Sequence, residues 1–321
     1  MAPVELPKEK YTGKVREITI GATKEQGGTR AKAVTIGGES TLPFMTFEGA
    51  MPHPPALAIE VQDRKPSDWS PVLLDAWKEV SDSPAKWAKA AEALGVDLIL
   101  LKLTATQADG SKNTSANAVK VVKEVLQATG LPLIVFGPGQ AELDNELLVA
   151  VAEATKGEKL VLGLCEDKNY RTLVAAALAN DHLVNSRTPM DVNLAKQLVI
   201  LIHDMGLPLE RIIMDPTTGA LGYGIEYGYS VMERLRLAAL QGDGMTQQPM
   251  LVTPGEEAWR VKESKVGTDV PAMWGDWKER AIHWETITAS ALVETGADVL
   301  VLRHPEAVKR VKEMVSKLMS K

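Results

Sequence analysis

Eight short apolar runs in the chain each end in a residue that could do chemistry or contact a ligand. These run-end residues are Glu60, Lys102, Gly137, Cys165, Ser186, Asp215, Thr253 and Arg303. If the runs are parallel strands of a closed barrel, their carboxyl ends meet at one mouth, where the functional groups of such barrels lie. The set holds one lysine, two separated carboxylates and no histidine, so it forms no nucleophile–base pair. We therefore predict that the chain contributes no catalytic residue.

Three of these residues leave alternatives open. Lys102 could form a Schiff base if it is desolvated, as an aldolase requires, but we favour its pairing with Glu60 on the neighbouring strand. Cys165 could be a reactive thiol, although a lone cysteine after an apolar strand is usually a small buried hydrophobe. Arg303 comes just before the last helix and could either hold an anion or pair with a carboxylate at the rim.

The most specific stretch follows the sixth run and reads DPTTGALGYGIEY, residues 215–227. Its glycines, Gly219, Gly222 and Gly224, permit positive φ and let the backbone approach a ligand closely. The stretch lies just before a predicted helix, whose N-terminus favours anions and carbonyl acceptors. We interpret it as a ligand-contacting loop. The alternative is that Asp215 merely forms an Asx turn.

The content of cysteine and histidine argues against a metal site. Cys165 is the only cysteine, which excludes an internal disulfide, a zinc finger and a four-cysteine iron–sulfur site. The five histidines show neither HxH nor HExxH spacing. We predict that the chain alone binds neither iron nor cobalt.

Charge and hydropathy narrow the class of protein. Thirty-six basic and 42 acidic residues leave a net charge of −6, and no basic stripe alternates with aromatic residues, so we expect no nucleic-acid partner. The first twenty residues carry many charges and no apolar signal core. No apolar run approaches the roughly 18 residues that a membrane span needs. We expect a cytoplasmic protein.

The eight runs predict parallel strands because they are continuously apolar, as strands buried on both faces are. They cover residues 56–61, 96–103, 131–137, 159–164, 182–186, 211–215, 249–254 and 298–303. Helical patterns separate them. Ser83–Pro84 and Thr188–Pro189 predict helix starts, and the spacing of Val308, Val311 and Val315 predicts a buried stripe on the last helix.

Eight strand–helix units over about 265 residues match a (β/α)8 TIM barrel in count and length. A doubly wound open sheet is the alternative, but it usually has fewer strands, and no dinucleotide fingerprint opens a helix here. We assign residues 56–321 to the barrel. Residues 1–55 form an N-terminal extension, with a β-hairpin of 15–20 and 33–37 that closes one end of the barrel.

Two long connections carry most of the tryptophans. They cover residues 62–82 and 255–278, and long loops in compact domains tend to be functional. Their tryptophans are Trp69, Trp77, Trp259, Trp274 and Trp277. We predict that these side chains are exposed and contribute to a heterodimer interface. The alternative is that they fold back over the barrel's own helices.

Four passages together resemble the small (delta) subunit of the corrinoid/iron–sulfur protein of the anaerobic acetyl-CoA (Wood–Ljungdahl) pathway. They are GATKEQGGTR (21–30), LPFMTFEG (42–49), DPTTGALGYGIEYGYSVMERLRLAALQGD (215–243) and LRHPEAV (302–308). The resemblance implies a barrel related to pterin-binding methyltransferases, paired with a larger subunit. That partner carries the iron–sulfur cluster and the domain that holds the corrinoid.

The resemblance also implies a role. The corrinoid (cobamide) cobalt accepts a methyl group from methyltetrahydrofolate through a separate methyltransferase and delivers it to acetyl-CoA synthase. We expect the barrel to cover this corrinoid without ligating cobalt. The expected cofactor-binding residues are Asp215, Thr217, Thr218, Gly219, Gly222, Tyr223, Gly224 and Arg303. Asp215 could be the relic of a pterin site, but no asparagine that would complete such a site is evident at the other run ends. A methyltransferase acting directly on a methyl-pterin and an aldolase using Lys102 remain the alternatives.

Overall fold

Two short antiparallel strands precede the barrel. In the computed structural model, which describes residues 6–320, β1 (Ile18–Ile20) pairs with β2 (Val34–Ile36). The predicted N-terminal strand pair is thus confirmed, with shorter strands than the apolar runs suggested. The connection between the two strands contains a single helical turn at Lys24–Gln26.

Eight parallel strands then close into a barrel in chain order, and the last strand pairs with the first. The strands are β3 (Ala56–Gln62), β4 (Leu98–Lys102), β5 (Leu133–Phe136), β6 (Val161–Cys165), β7 (Leu183–Arg187), β8 (Ile212–Asp215), β9 (Met250–Val252) and β10 (Ala297–Leu302). The (β/α)8 prediction is confirmed. Almost every strand residue is buried, which explains why the runs are apolar on both faces.

Helices surround the barrel. They are α1 (Pro71–Ala76), α2 (Pro84–Ala93), α3 (Ser115–Ala128), α4 (Ala141–Ala154), α5 (Tyr170–Asn180), α6 (Val192–Asp204), α7 (Ile225–Leu240), α8 (Pro254–Ala258), α9 (Lys262–Lys265), α10 (Trp277–Glu294) and α11 (Pro305–Met319). The two long connections are therefore not plain loops, because α1, α8 and α9 lie within them. In α11 the predicted stripe of Val308, Val311 and Val315 is buried.

The N-terminal strands pack on the amino end of the barrel. Ile18, Ile20 and Ile36 are buried in one apolar cluster with residues inside the barrel, including Ala56 and Leu98 near the starts of β3 and β4. This contact places the strand pair at the end opposite to the mouth.

Partners far along the chain hold the N-terminal extension in place. The Gly13 amide donates to Leu240 O at 2.8 Å. The buried guanidinium of Arg236 bonds to Glu39 Oε2 at 3.4 Å and to Asp298 Oδ2 at 2.7 Å. The extension is thus tied to α7 and to β10.

The prediction of exposed tryptophans is wrong for three of the five. Trp69 and Trp77 are buried and pack against the fully buried Trp87, with ring centroids 5.3 and 5.6 Å apart. Trp259 is buried against His304, and its Nε1 donates to Glu285 Oε2 at 2.7 Å. They fold back because an indole buries a large apolar area and each of Trp77 and Trp259 finds an acceptor for its N–H.

The other two tryptophans are partly buried. Trp277 Nε1 donates to Ser264 O at 2.9 Å, and the guanidinium of Arg280 lies 5.2 Å from the ring centroid of Trp274. Large apolar side chains that are exposed near the mouth belong to other residues. These are Met190, Leu194, Tyr223, Tyr227 and Met273.

The two predicted helix starts have different outcomes. Ser83 caps α2 by accepting from the Lys86 amide, as predicted. Thr188–Pro189 does not begin α6, which starts at Val192 with Asp191 as its cap. The Asp191 carboxylate accepts from two backbone amides, which satisfies more of the free N–H groups of the helix than a single hydroxyl would. Across residues 6–320, no helix is both long enough and apolar enough to cross a bilayer.

Candidate functional site

Arg303 and Glu60 form a buried ion pair at the mouth of the barrel. The guanidinium Nε donates to Glu60 Oε2 at 2.8 Å, and Nη2 donates to Oε1 at 3.0 Å. The guanidinium also lies over Trp69, 4.9 Å from the ring centroid. Of the two roles open to Arg303, pairing with a rim carboxylate is the one observed.

Lys102 pairs with Glu256 and not with Glu60, so the favoured prediction for this lysine is wrong. Its Nζ donates to Glu256 Oε1 at 2.9 Å. Burial alone would raise the pKa of Glu256, but the cations Lys102, Arg303 and Arg260 outweigh it and lower the pKa to about 2. The ammonium of Lys102 therefore faces a permanent negative charge, and an ammonium has no lone pair with which to attack a carbonyl.

Glu256 was missed because it does not end a strand. It lies in the first turn of α8, three residues after the run-end residue Thr253. A signal was present in the sequence: the passage TPGEE places a proline and two acids at the start of a helix, where acids are favoured.

Asp215 ends β8 and is almost completely buried. Its Oδ1 accepts from the Thr217 amide at 3.0 Å, which is the Asx turn considered from the sequence. Its Oδ2 has no hydrogen-bond partner among the described residues and lies 4.0 Å from Arg187 Nε. Burial raises the pKa of Asp215 to about 6, although the Arg187 charge acts in the opposite direction.

Asn185 on β7 is a second buried polar group that lacks partners. It is fully buried, and neither its amide nitrogen nor its amide oxygen has a hydrogen-bond partner within residues 6–320. A Cβ placed on Gly163 would lie 3.1 Å from Asn185 Cβ and 2.6 Å from Phe136 Cε1. Because Phe136 belongs to the cluster inside the barrel, Asn185 faces the interior as well.

The sequence analysis chose Ser186 for this strand end and overlooked Asn185 and Arg187. The strand ends one residue later than predicted, at Arg187. Side chains alternate along a strand, so Asn185 and Arg187 share the inner face while Ser186 points to the other side. The expectation that no asparagine accompanies Asp215 at the strand ends is therefore wrong.

The loop after β8 is compact and tied to its surroundings. Thr217 has a positive φ of 52°, and its hydroxyl donates to Thr188 O at 2.7 Å. The Thr218 hydroxyl is buried without a hydrogen-bond partner among the described residues. A Cβ on Gly219 would lie 2.5 Å from Tyr223 O, so only glycine fits there.

The tip of this loop is open. Gly222 has a φ of 75°, and a Cβ added to it would meet nothing within 4 Å. Tyr223 is half exposed, and Gly224, with a φ of 93°, directly precedes α7. The predicted cofactor-binding residues thus share one loop except for Arg303, which lies two strands away around the ring.

Cys165 is a buried member of the apolar layer between strands and helices. Burial raises the pKa of its thiol, which keeps the sulfur protonated and unreactive. The interpretation of this residue as a small hydrophobe is confirmed. Within residues 6–320, no group of three or more histidine, cysteine, aspartate or glutamate side chains could hold a metal ion.

Sequence comparisons match nearly the whole chain. The family model for the CO dehydrogenase/acetyl-CoA synthase delta subunit matches residues 17–318. The acetyl-CoA decarbonylase/synthase complex subunit delta of Archaeoglobus fulgidus is 40% identical over 99% of this chain and 71% of its own length. Subunit delta 1 of Methanosarcina thermophila is 37% identical over 96% of this chain and 71% of its own length.

Solved structures with the same fold are much more distant in sequence. Dihydropteroate synthase from Xanthomonas albilineans in complex with 7,8-dihydropteroate superposes with a TM-score of 0.55 at 14% identity, covering 88% of this chain and all of that one. The enzyme from Thermus thermophilus gives a TM-score of 0.55 at 14% identity, covering 87% of this chain and 98% of that one. At this identity the likeness concerns the barrel fold.

Proposed function

Because the chain belongs to the CO dehydrogenase/acetyl-CoA synthase delta subunit family, we propose that it is the barrel subunit of a corrinoid methyl-carrier protein. In this role it forms a heterodimer with a larger subunit that holds the corrinoid and an iron–sulfur cluster. The bound corrinoid would supply the cobalt that carries the methyl group. That group comes from methyltetrahydrofolate through a methyltransferase and goes to acetyl-CoA synthase.

The single observation that carries this proposal is the contrast between the floor and the rim of the mouth. On the floor, Lys102 and Arg303 are each bonded to a carboxylate, so neither of these cations is free to act on a ligand. On the rim, Tyr223, Tyr227 and Met273 are exposed. Paired cations below an apolar rim suit a broad, flat ligand that is covered and positioned without being transformed by the barrel.

The residues of the loop after β8 fit the edge of a corrinoid, which carries amide side chains. The Thr218 hydroxyl and Asp215 Oδ2 are hydrogen-bonding atoms that lack partners in residues 6–320. Gly222 leaves open space at the tip of the loop. We expect His304 not to ligate cobalt, because it is buried beside Trp259, its Nδ1 accepts from a backbone amide and its Nε2 is enclosed.

Mixing the purified chain with a corrinoid-loaded large subunit of a relative tests the proposal. We expect a stable one-to-one complex by sedimentation. We also expect the corrinoid to react more slowly with small reagents added to the solution than it does in the large subunit alone. Failure of the two subunits to associate, or a homodimer of this chain that excludes the partner, would refute the proposal.

A second candidate, a methyltransferase that binds a methyl-pterin directly, is favoured by one observation. Asn185 offers a buried donor and acceptor, and Asp215 Oδ2 offers a further acceptor inside the same mouth. Together they could satisfy the edge of a polar heterocycle. Titration with methyltetrahydrofolate decides between the two candidates: micromolar binding with turnover would establish the second, and absence of turnover is expected from the first.

The aldolase alternative has less support, because the ammonium of Lys102 is held by Glu256. We expect no adduct of Lys102 to be trapped by borohydride in the presence of an aldehyde.

A further inference from the structure

A long groove lies outside the barrel wall, along one side of α11. It has a volume of about 860 Å³ and is bounded by α11, by α1 and by Leu94 at the end of α2. Along α11 it extends from His304 to Lys317, which at 1.5 Å per residue is about 20 Å. Its accessible apolar lining includes Ala76, Leu94 and Pro305.

The positive charges along this groove lack carboxylate partners. Lys278, Lys309 and Lys317 line it, and none of them forms an ion pair with any residue in the described part of the chain. The Lys312 ammonium donates to a backbone carbonyl, Gly95 O, at 2.7 Å. Four lysines therefore face the groove without a neutralising carboxylate.

The acidic side chains of the groove are mostly neutralised by other residues. Asp75 pairs with Lys78 at 3.3 Å, and Glu306 pairs with Arg310 at 3.2 Å. Only Glu313 lines the groove without an ion pair in residues 6–320. The groove thus has an excess of positive charge on a chain whose net charge is −6.

We propose that this groove binds an acidic amphipathic helix of a partner protein. The apolar face of the helix would lie on Ala76, Leu94 and Pro305, and its carboxylates would meet the lysines. Lys309 and Lys317 lie about 12 Å apart along α11, so the positive charge suits an elongated acidic partner and not a compact anion.

The groove includes no residue of the loop after β8, and the proposal holds whether or not the barrel covers a corrinoid. Its test uses the full chain and a fluorescein-labelled synthetic peptide of about 14 residues, with leucines on one helical face and glutamates on the other. A peptide with lysines in place of the glutamates is the control ligand. We expect the acidic peptide to bind with micromolar affinity by fluorescence anisotropy and the basic peptide not to bind.

Matched variants locate the binding site. The double reversal Lys309→Glu/Lys317→Glu should weaken binding of the acidic peptide by at least about tenfold. The control Lys10→Glu/Lys14→Glu makes the same change in net charge within the N-terminal extension and should alter the affinity by less than about twofold.

Three outcomes would overturn the proposal. Equal binding of both peptides, or full affinity in the Lys309→Glu/Lys317→Glu variant, would show that the lysines of the groove do not determine binding. Displacement of the peptide by dodecanoate at lower concentration than unlabelled peptide would assign the groove to small amphiphiles. Self-association of the chain that the double reversal abolishes would assign it to a second copy.

Discussion

The two sides of the barrel mouth differ in how their buried polar groups are satisfied. On the side of β10, β3 and β4, Arg303 makes two hydrogen bonds to Glu60, and Lys102 is bonded to Glu256. On the side of β7 and β8, both amide atoms of Asn185 and one oxygen of Asp215 have no partner within residues 6–320. The polar groups of the first side therefore satisfy one another, and, since an unsatisfied buried group is costly, we infer that a ligand satisfies those of the second side.

Breaking the Arg303–Glu60 pair should have the largest effect. Arg303→Met leaves Glu60 buried without its partner, and we expect the free energy of unfolding to fall by about 3–5 kcal/mol. Urea denaturation followed by circular dichroism measures this loss. In Glu60→Gln/Arg303→Met both charges are absent, so much of the stability should return. A double variant as unstable as Arg303→Met would show that the loss comes from packing against Trp69.

On the β7–β8 side, the unpartnered carboxyl of Asp215 should make the stability of the chain depend on pH. Burial raises the pKa of Asp215 from 3.8 to about 6, so the folded state favours the protonated carboxyl. Its stabilising contribution is complete below pH 3.8 and is lost as the pH rises through about 6. Asp215→Asn imitates the protonated form and should gain roughly 2–3 kcal/mol relative to the parent between pH 4 and pH 7. Stability curves that run parallel over this range would contradict the assignment.

Gly222, at the tip of the loop after β8, can be used to test whether the β7–β8 side of the mouth contacts the partner subunit. Gly222→Leu and Gly206→Leu both place a side chain at a positive φ with open space around it, so each should lose about 1–2 kcal/mol of stability. Only Gly222 lies at the mouth. We expect Gly222→Leu to weaken association with the corrinoid-loaded partner at least about tenfold, or about 1.4 kcal/mol. Sedimentation of mixed subunits would measure this difference. If the two variants associate equally well with the partner, the loop after β8 does not contact the corrinoid.

The smallest effect on stability is expected at Asn185. Asn185→Leu removes a buried amide that has no partner, so the free energy of unfolding should stay the same or rise by about 1 kcal/mol. Thermal unfolding with the parent chain as reference measures the change. A loss as large as that of Arg303→Met would show that the Asn185 amide is already satisfied in the folded chain and that the two sides of the mouth are alike.

The sequence predicted the barrel well because strand formation here depends on local patterns. Each strand is buried on both faces, so its residues are apolar without interruption, and eight such runs separated by helices define the fold. The buried stripe of α11 was predicted for the same reason. These features require only the periodicity of one segment at a time.

The contacts of the mouth could not be predicted in this way, because they depend on register between strands. Glu60 pairs in register with Leu100, whereas Lys102 lies beside Gln62. Two residues along a strand correspond to about 6.6 Å, which separates the two side chains that adjacent strands seemed to bring together. The prediction that the tryptophans are exposed was wrong for a related reason. The short helices α1 and α8 direct the long connections back onto the barrel, and helices this short leave no recognisable apolar pattern in the sequence.

The placement of the N-terminal strand pair sets an order for folding during synthesis. The Glu39–Arg236 contact joins positions 197 residues apart, and the partner Asp298 comes later still in the chain. Until those partners exist, Ile18, Ile20 and Ile36 have no barrel interior to cover and remain exposed to other chains. Such a delay lengthens the period in which a chaperone would be needed. The strand pair leaves the ribosome before the barrel does, yet it is among the last segments to reach its final position.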